Sequence, residues 1–152
     1  MTATSNAPAF AFIMLLTGIG IPILAALNGG LGTRLGSPMA ASMILFGLAF
    51  LIAAAGAAMT GSIGQIRVTS AVPPQFYFGG LFVAFYVIAV TFIAPKFGVG
   101  NAIFFVLVGQ LISAATIDHF GLFGALRSAI DMKRIAGIAL MIAGVYLARR
   151  TA

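Results

Sequence analysis

Apolar residues fill this chain in long blocks, and the charged positions that separate them leave neutral stretches at 1–33, 35–66, 68–95, 97–117 and 135–148. About 20 mostly apolar residues suffice for a helix to cross the roughly 30 Å of hydrocarbon in a bilayer. The pattern therefore predicts an all-α integral membrane fold of five transmembrane helices, over about 10–32, 38–58, 75–94, 98–117 and 129–149. Residues 1–152 form a single membrane domain on this reading.

Local punctuation sets the boundaries. Asn28-Gly29-Gly30 and Gly32 loosen the end of the first helix, and Ser37-Pro38 opens the second with a cap and a proline at its first position. Pro73-Pro74 precedes the third helix. Pro95 ends it, because the residue before a proline avoids helical geometry. Phe76, Tyr77 and Tyr146 fall near helix ends, where interfacial aromatic belts sit. The fifth neutral run is the shortest. Ser128-x-x-Asp131 resembles a capping pattern and puts the helix start near Ala129, which obliges Lys133 and Arg134 to snorkel towards headgroups. Phe120 to Leu126 is apolar but too short to cross, and is expected to lie in the interface.

Composition agrees with the bilayer as solvent. Of 152 residues 62% are hydrophobic and 7% charged, against roughly 25% charged in a soluble domain. The net charge of +6 comes from basic residues scattered singly, which suits headgroup anchoring and not nucleic acid. With no cysteine there is neither disulfide nor thiolate metal site. No cofactor or metal is called for. Gly30-x-Gly32-x-x-x-Gly36 misses the dinucleotide-binding spacing and joins two spans. No phosphate loop, paired zinc histidines or carboxylate pair is present, so an enzyme is not expected. The first nine residues carry no basic side chain and the first apolar run exceeds a signal peptide's core. A bacterial inner membrane is the simplest location.

The basic residues also bear on orientation. Five spans place Arg67, Arg127, Lys133 and Arg134 on one face, and Arg34, Lys96, Arg149 and Arg150 on the other. Lys and Arg near span ends decide topology, and four against four gives no instruction. Both orientations are then expected from one polypeptide, assembling as an antiparallel homodimer, or as a pair with an oppositely biased paralogue.

Several stretches resemble the YdcZ-type five-helix branch of the drug/metabolite transporter superfamily. They are Gly18 to Pro22 with Asn28-x-x-Leu31-Gly32, Gly79-Gly80 with Phe85-Tyr86-Val87, and Ala94-Pro95-x-x-Gly98. The more specific match is Gly109-Gln110 followed by Ile117-Asp118-His119-Phe120-Gly121, with Gly137 and Gly144 beyond it. The resemblance implies half of a ten-helix inverted-repeat bundle, a secondary transporter working by alternating access on a small-molecule substrate. The related four-helix small multidrug resistance proteins carry a proton-binding glutamate in their first helix. Here no acid precedes Asp118, which favours a neutral, zwitterionic, anionic or lipid-linked solute over a lipophilic cation.

A transport pocket needs polar groups near the midplane, where such groups are costly and few. Gln110 is the foremost candidate, with Ser113 one turn on, and Tyr86 offers a ring face and a hydroxyl. Thr17 and Asn28 stand eleven residues apart on one helix face, with Pro22 between them to kink the helix and free a carbonyl. Each has a plainer reading as an interhelical or backbone-bonded group. Asp118 and His119 are candidates for a gate or proton carrier, or for a simple pairing with Arg127, Lys133 or Arg134. Gly18, Pro22, Ala25, Gly29 and Gly32 form one stripe of small residues, and Gly80, Ala84, Val87 and Thr91 another. Gly137 and Gly144, seven apart, suit close helix approach at a dimer contact. Two rivals remain: a non-transporting membrane scaffold or accessory subunit, and a flippase for a lipid-linked intermediate.

Overall fold

A computed structural model describes residues 6–66 and 72–148. Arg67, Arg149 and Arg150, which enter the charge tally, lie outside the described residues, as does the expected end of the last helix at 149. The described residues form helices without strands. The α-helices are α1 (Ala7–Leu35), α2 (Pro38–Met59), α3 (Gly79–Phe97), α4 (Val99–Phe120) and α5 (Met132–Ala148). Short 3₁₀ turns occupy Ser62–Gln65, Pro74–Phe78 and Leu122–Gly124. The chain divides into two compact units, 1–96 and 97–152.

In the first unit α1 is a single 29-residue helix that runs through Pro22 and on past the Asn28-Gly29-Gly30 segment expected to loosen it. Those glycines serve packing instead. A Cβ on Gly29 would lie 3.1 Å from the Pro95 ring, and one on Gly32 would lie 3.2 Å from the Pro38 backbone. The end comes at Gly36, whose φ of 65° is open to glycine and costly for other residues. Ser37 N–H donates to the Gly32 carbonyl and Gly36 N–H to that of Thr33, a Schellman closure. The chain then turns at once into α2, where Ser37 Oγ accepts from Ala40 N–H and Pro38 takes the first helical position.

The third helix does not stop before Pro95, as the proline had suggested, but continues to Phe97. The proline ring is seated against Gly29, and the break falls at Gly98, which has a φ of 89°. Ala25, Asn28, Gly29 and Gly32 of α1, Ala41 and Ser42 of α2, and Val87, Val90, Thr91 and Ala94 of α3 are buried. The small-residue stripes are thus buried over Ala25–Gly32 and Val87–Thr91 only. Gly18 and Gly80 face open space.

In the second unit α5 starts three residues later than Ser128-x-x-Asp131 had suggested. Asp131 is itself the cap: its carboxylate accepts from Arg134 N–H at 2.7 Å and its carbonyl from Ile135 N–H. Of the five expected spans, the described helices support four directly. Four helical segments, Ala7–Leu35, Pro38–Met59, Pro74–Phe97 and Val99–Phe120, are long and apolar enough to cross a bilayer. The 17 described residues of α5, which include Lys133 and Arg134, are not among them. The helix nevertheless folds back along α4. Arg134, near its start, pairs with Asp118 near the end of α4. Ile142, Val145 and Tyr146 line an apolar cleft of about 290 Å³ with Phe104, Phe105 and Val108, near the start of α4.

Candidate functional site

The polar candidates fall into three groups. The first is a buried chain of hydrogen bonds where α1 crosses α3. Asn28 Nδ2 donates to Thr91 Oγ1 at 2.6 Å, and Thr91 Oγ1 donates to the Val87 carbonyl at 2.6 Å. Both residues are buried. Asn28 therefore joins two spans. Thr91 had figured only as one member of a small-residue stripe, and nothing local marks it as the partner of a residue 63 positions away. Thr17, on the same helix, is not brought to Asn28's surroundings. It is exposed and donates to its own backbone at Ile13. Pro22 is half-buried within α1.

The second group comprises polar side chains without a hydrogen-bond partner among the described residues. Tyr86, half-buried on α3, has a buried hydroxyl that finds no hydrogen-bond partner among the described residues. Gln110 and Ser113 are exposed on α4, and neither has a hydrogen-bond partner among the described residues. They sit in the body of a helix that can cross a membrane. In hydrocarbon an unpaired amide is costly, so such groups face a bundle interior, a cavity or another polar group.

The third group lies at the end of α4. The last turn of a helix leaves carbonyls without partners, and the link to α5 folds back to supply them. Gly121 N–H donates to Ile117 O, Ser128 N–H to Asp118 O at 2.8 Å, and Arg127 Nε to His119 O at 3.3 Å. The side chains are engaged as well. Arg134 Nη2 contacts Asp118 Oδ2 at 2.5 Å, and Ile130 N–H donates to His119 Nδ1 at 3.0 Å. The imidazole thereby ties the end of α4 to the link backbone ahead of α5. The ring also meets Phe120 edge to face, with centroids 4.7 Å apart. Phe123, with a φ of 56°, takes the left-handed conformation between Gly121 and Gly124, which share it. Of the three bases offered as partners for Asp118, the structure selects Arg134. The pair is about one third exposed, which places it at a boundary and not in a dry interior.

Gly137 and Gly144 have no neighbour within 4 Å of an added Cβ, so among the described residues nothing uses the close approach they permit.

Comparison with known proteins bears on the chain as a whole. Residues 9–147 match the family model described as "Putative inner membrane exporter, YdcZ". No curated protein and no solved structure matches the chain.

Proposed function

The chain belongs to the YdcZ family, whose members are multi-pass proteins of the inner membrane, and from that membership we propose that it is a secondary transporter of a small molecule. Two copies, inverted relative to each other, alternate access to a shared polar pathway. The observation that carries this reading is the pair Gln110 and Ser113. These groups stand exposed and unbonded along a membrane-spanning helix. Among the described residues nothing bonds them, and a second copy with a solvated passage would shelter them from lipid. The unpartnered Tyr86 hydroxyl adds a further polar group to be satisfied. Gln110 presents a carbonyl acceptor and two amide donors, which suits a neutral or zwitterionic solute. Asp118 and His119 act near one mouth of the pathway, and Gly137 and Gly144 lie in the dimer contact.

Fluxes of candidate solutes into proteoliposomes test the assignment. Replacing Gln110 with leucine should abolish flux and leave assembly intact; undiminished flux in Gln110→Leu would remove the residue from the pathway. A flippase is the second reading, favoured by the apolar cleft between α4 and α5, whose walls are phenylalanine, valine, isoleucine and tyrosine. Movement of labelled lipid between leaflets, with no solute flux, would select it.

A further inference from the structure

Gln110 stands at the centre of its helix. The 22 residues of α4, Val99–Phe120, rise about 33 Å. Hydrocarbon in a bilayer is about 30 Å deep, so a helix of this length crosses with its centre, between Gly109 and Gln110, within about 2 Å of the midplane. The surface around that centre is small and unused. Gly109, Ser113 and Thr116 follow at steps of four and three residues and share a face, and Gln110 borders it. All four are exposed. A Cβ on Gly109 would meet nothing within 4 Å. The Thr116 hydroxyl is spent on the Ile112 carbonyl at 2.9 Å, whereas Gln110 and Ser113 have no hydrogen-bond partner among the described residues. Small residues let helices approach closely in lipid, and an amide set among them bonds across the contact.

Inversion of one copy relative to the other adds a constraint. A twofold axis in the membrane plane returns the midplane to itself, and an isologous contact sets residue i against j and j against i. Gln110 of one copy is then level with Gly109 of the other, and the two Gln110 levels differ by about 1.5 Å. The same operation parts the two Ser113 levels by about 10 Å and the two Thr116 levels by about 20 Å. Gln110, and not Ser113, is brought to its own counterpart, opposite a residue with no side chain to obstruct it. We infer that α4 packs through this face against α4 of a second, inverted copy, and that the two Gln110 amides pair at the midplane. A carboxamide both donates and accepts, so two of them satisfy each other by reciprocal N–H···O bonds. A solute in the passage meets two Gln110 side chains, one from each copy, in a site that neither copy completes alone. The inference rests on the antiparallel reading above and specifies a contact that reading leaves open.

The chain has no cysteine, so one introduced thiol carries the only spin label in each copy and every spin pair is between copies. In the full-length chain in lipid bilayers, labels on Gln110→Cys should lie close enough to broaden each other's spectra. The separation should grow through Ser113→Cys and reach about 20 Å or more for Thr116→Cys. Copies labelled at Val106→Cys can also be mixed with copies labelled at Ser113→Cys, which keeps Gln110 in place. Those two levels coincide, so the unlike labels should come together. Equal separations at 110, 113 and 116 would mean parallel copies and would overturn the pairing together with the antiparallel reading. A separation that grows along the helix but is short in neither the Gln110→Cys nor the mixed sample would keep the inverted copies and overturn the α4 contact.

Discussion

Asn28 lies where no water competes for its amide, and Thr91 is the group it reaches. Interhelical hydrogen bonds of this kind contribute about 0.6 kcal/mol on average and about 1.7 at most, because the unfolded chain in lipid also finds partners. Asn28→Leu and Thr91→Val should therefore each cost about 1 kcal/mol, and the double variant less than their sum. Unfolding midpoints in detergent check this, and strict additivity would mean that the two residues do not act through their bond. Glycine positions divide more sharply. Alanine at Gly32 meets the Thr91 methyl at 3.1 Å and the Pro38 backbone at 3.2 Å, and backbone yields poorly. Gly32→Ala should destabilise, whereas Gly18→Ala, with open space around it, should gain up to about 1 kcal/mol of helix propensity. Equal effects at the two sites would contradict the packing described. A single sequence could mark Asn28 as unusual because amides are rare in spans. It could not show Thr91 as the partner, since a threonine that bonds its own helix looks the same whatever approaches from elsewhere.

At the scale of elements, Ser37-Pro38 could be read directly, because a cap followed by proline is a local signal that the helix start itself uses. Pro95 misled, since its meaning depends on Gly29, 66 residues earlier, which leaves room for the ring within a continuing helix. The start of α5 misled differently. Ser128 and Asp131 are both plausible caps, and the fold-back of the link onto the end of α4 decides between them. Ser128 N–H is held by the Asp118 carbonyl and Arg134 by the Asp118 carboxylate, which leaves Asp131 to open the helix. Asp131→Ala should cost about 1 kcal/mol and fray the first turn of α5, whereas Ser128→Ala should not. Amide hydrogen exchange across 132–136 distinguishes them, and matching protection in the two variants would reassign the cap. The Asp118–Arg134 pair is a smaller matter. With both side chains about one third exposed it contributes roughly 0–1 kcal/mol, so its use lies in fixing where α5 begins.

For the whole molecule, everything about assembly turns on whether α5 crosses. The stretch from Ile135 to Ala148 rises only about 21 Å, short of the roughly 30 Å of hydrocarbon. Against that, α5 is laid along α4 from Asp118 near one end to Phe104 near the other, and α4 does have the length and apolarity to cross. The two possibilities give opposite charge arithmetic. If α5 crosses, Arg149 and Arg150 join Arg34 and Lys96, and the faces balance at four against four. If it lies in the interface, those two arginines join Arg67, Arg127, Lys133 and Arg134, and the balance becomes six against two. A difference of four basic residues is a strong orienting signal, and it would hold every copy the same way up with both termini in the cytoplasm. An accessibility tag placed after Ala152 reads the answer. The proposed antiparallel pair requires the tag on both faces of the membrane, in comparable amounts. Replacing Arg149 and Arg150 with glutamine should then drive the population towards one orientation, because four against two is no longer neutral. A tag found on only one face would rule out the antiparallel pair. Gln110 and Ser113 would then need some cover other than an inverted twin.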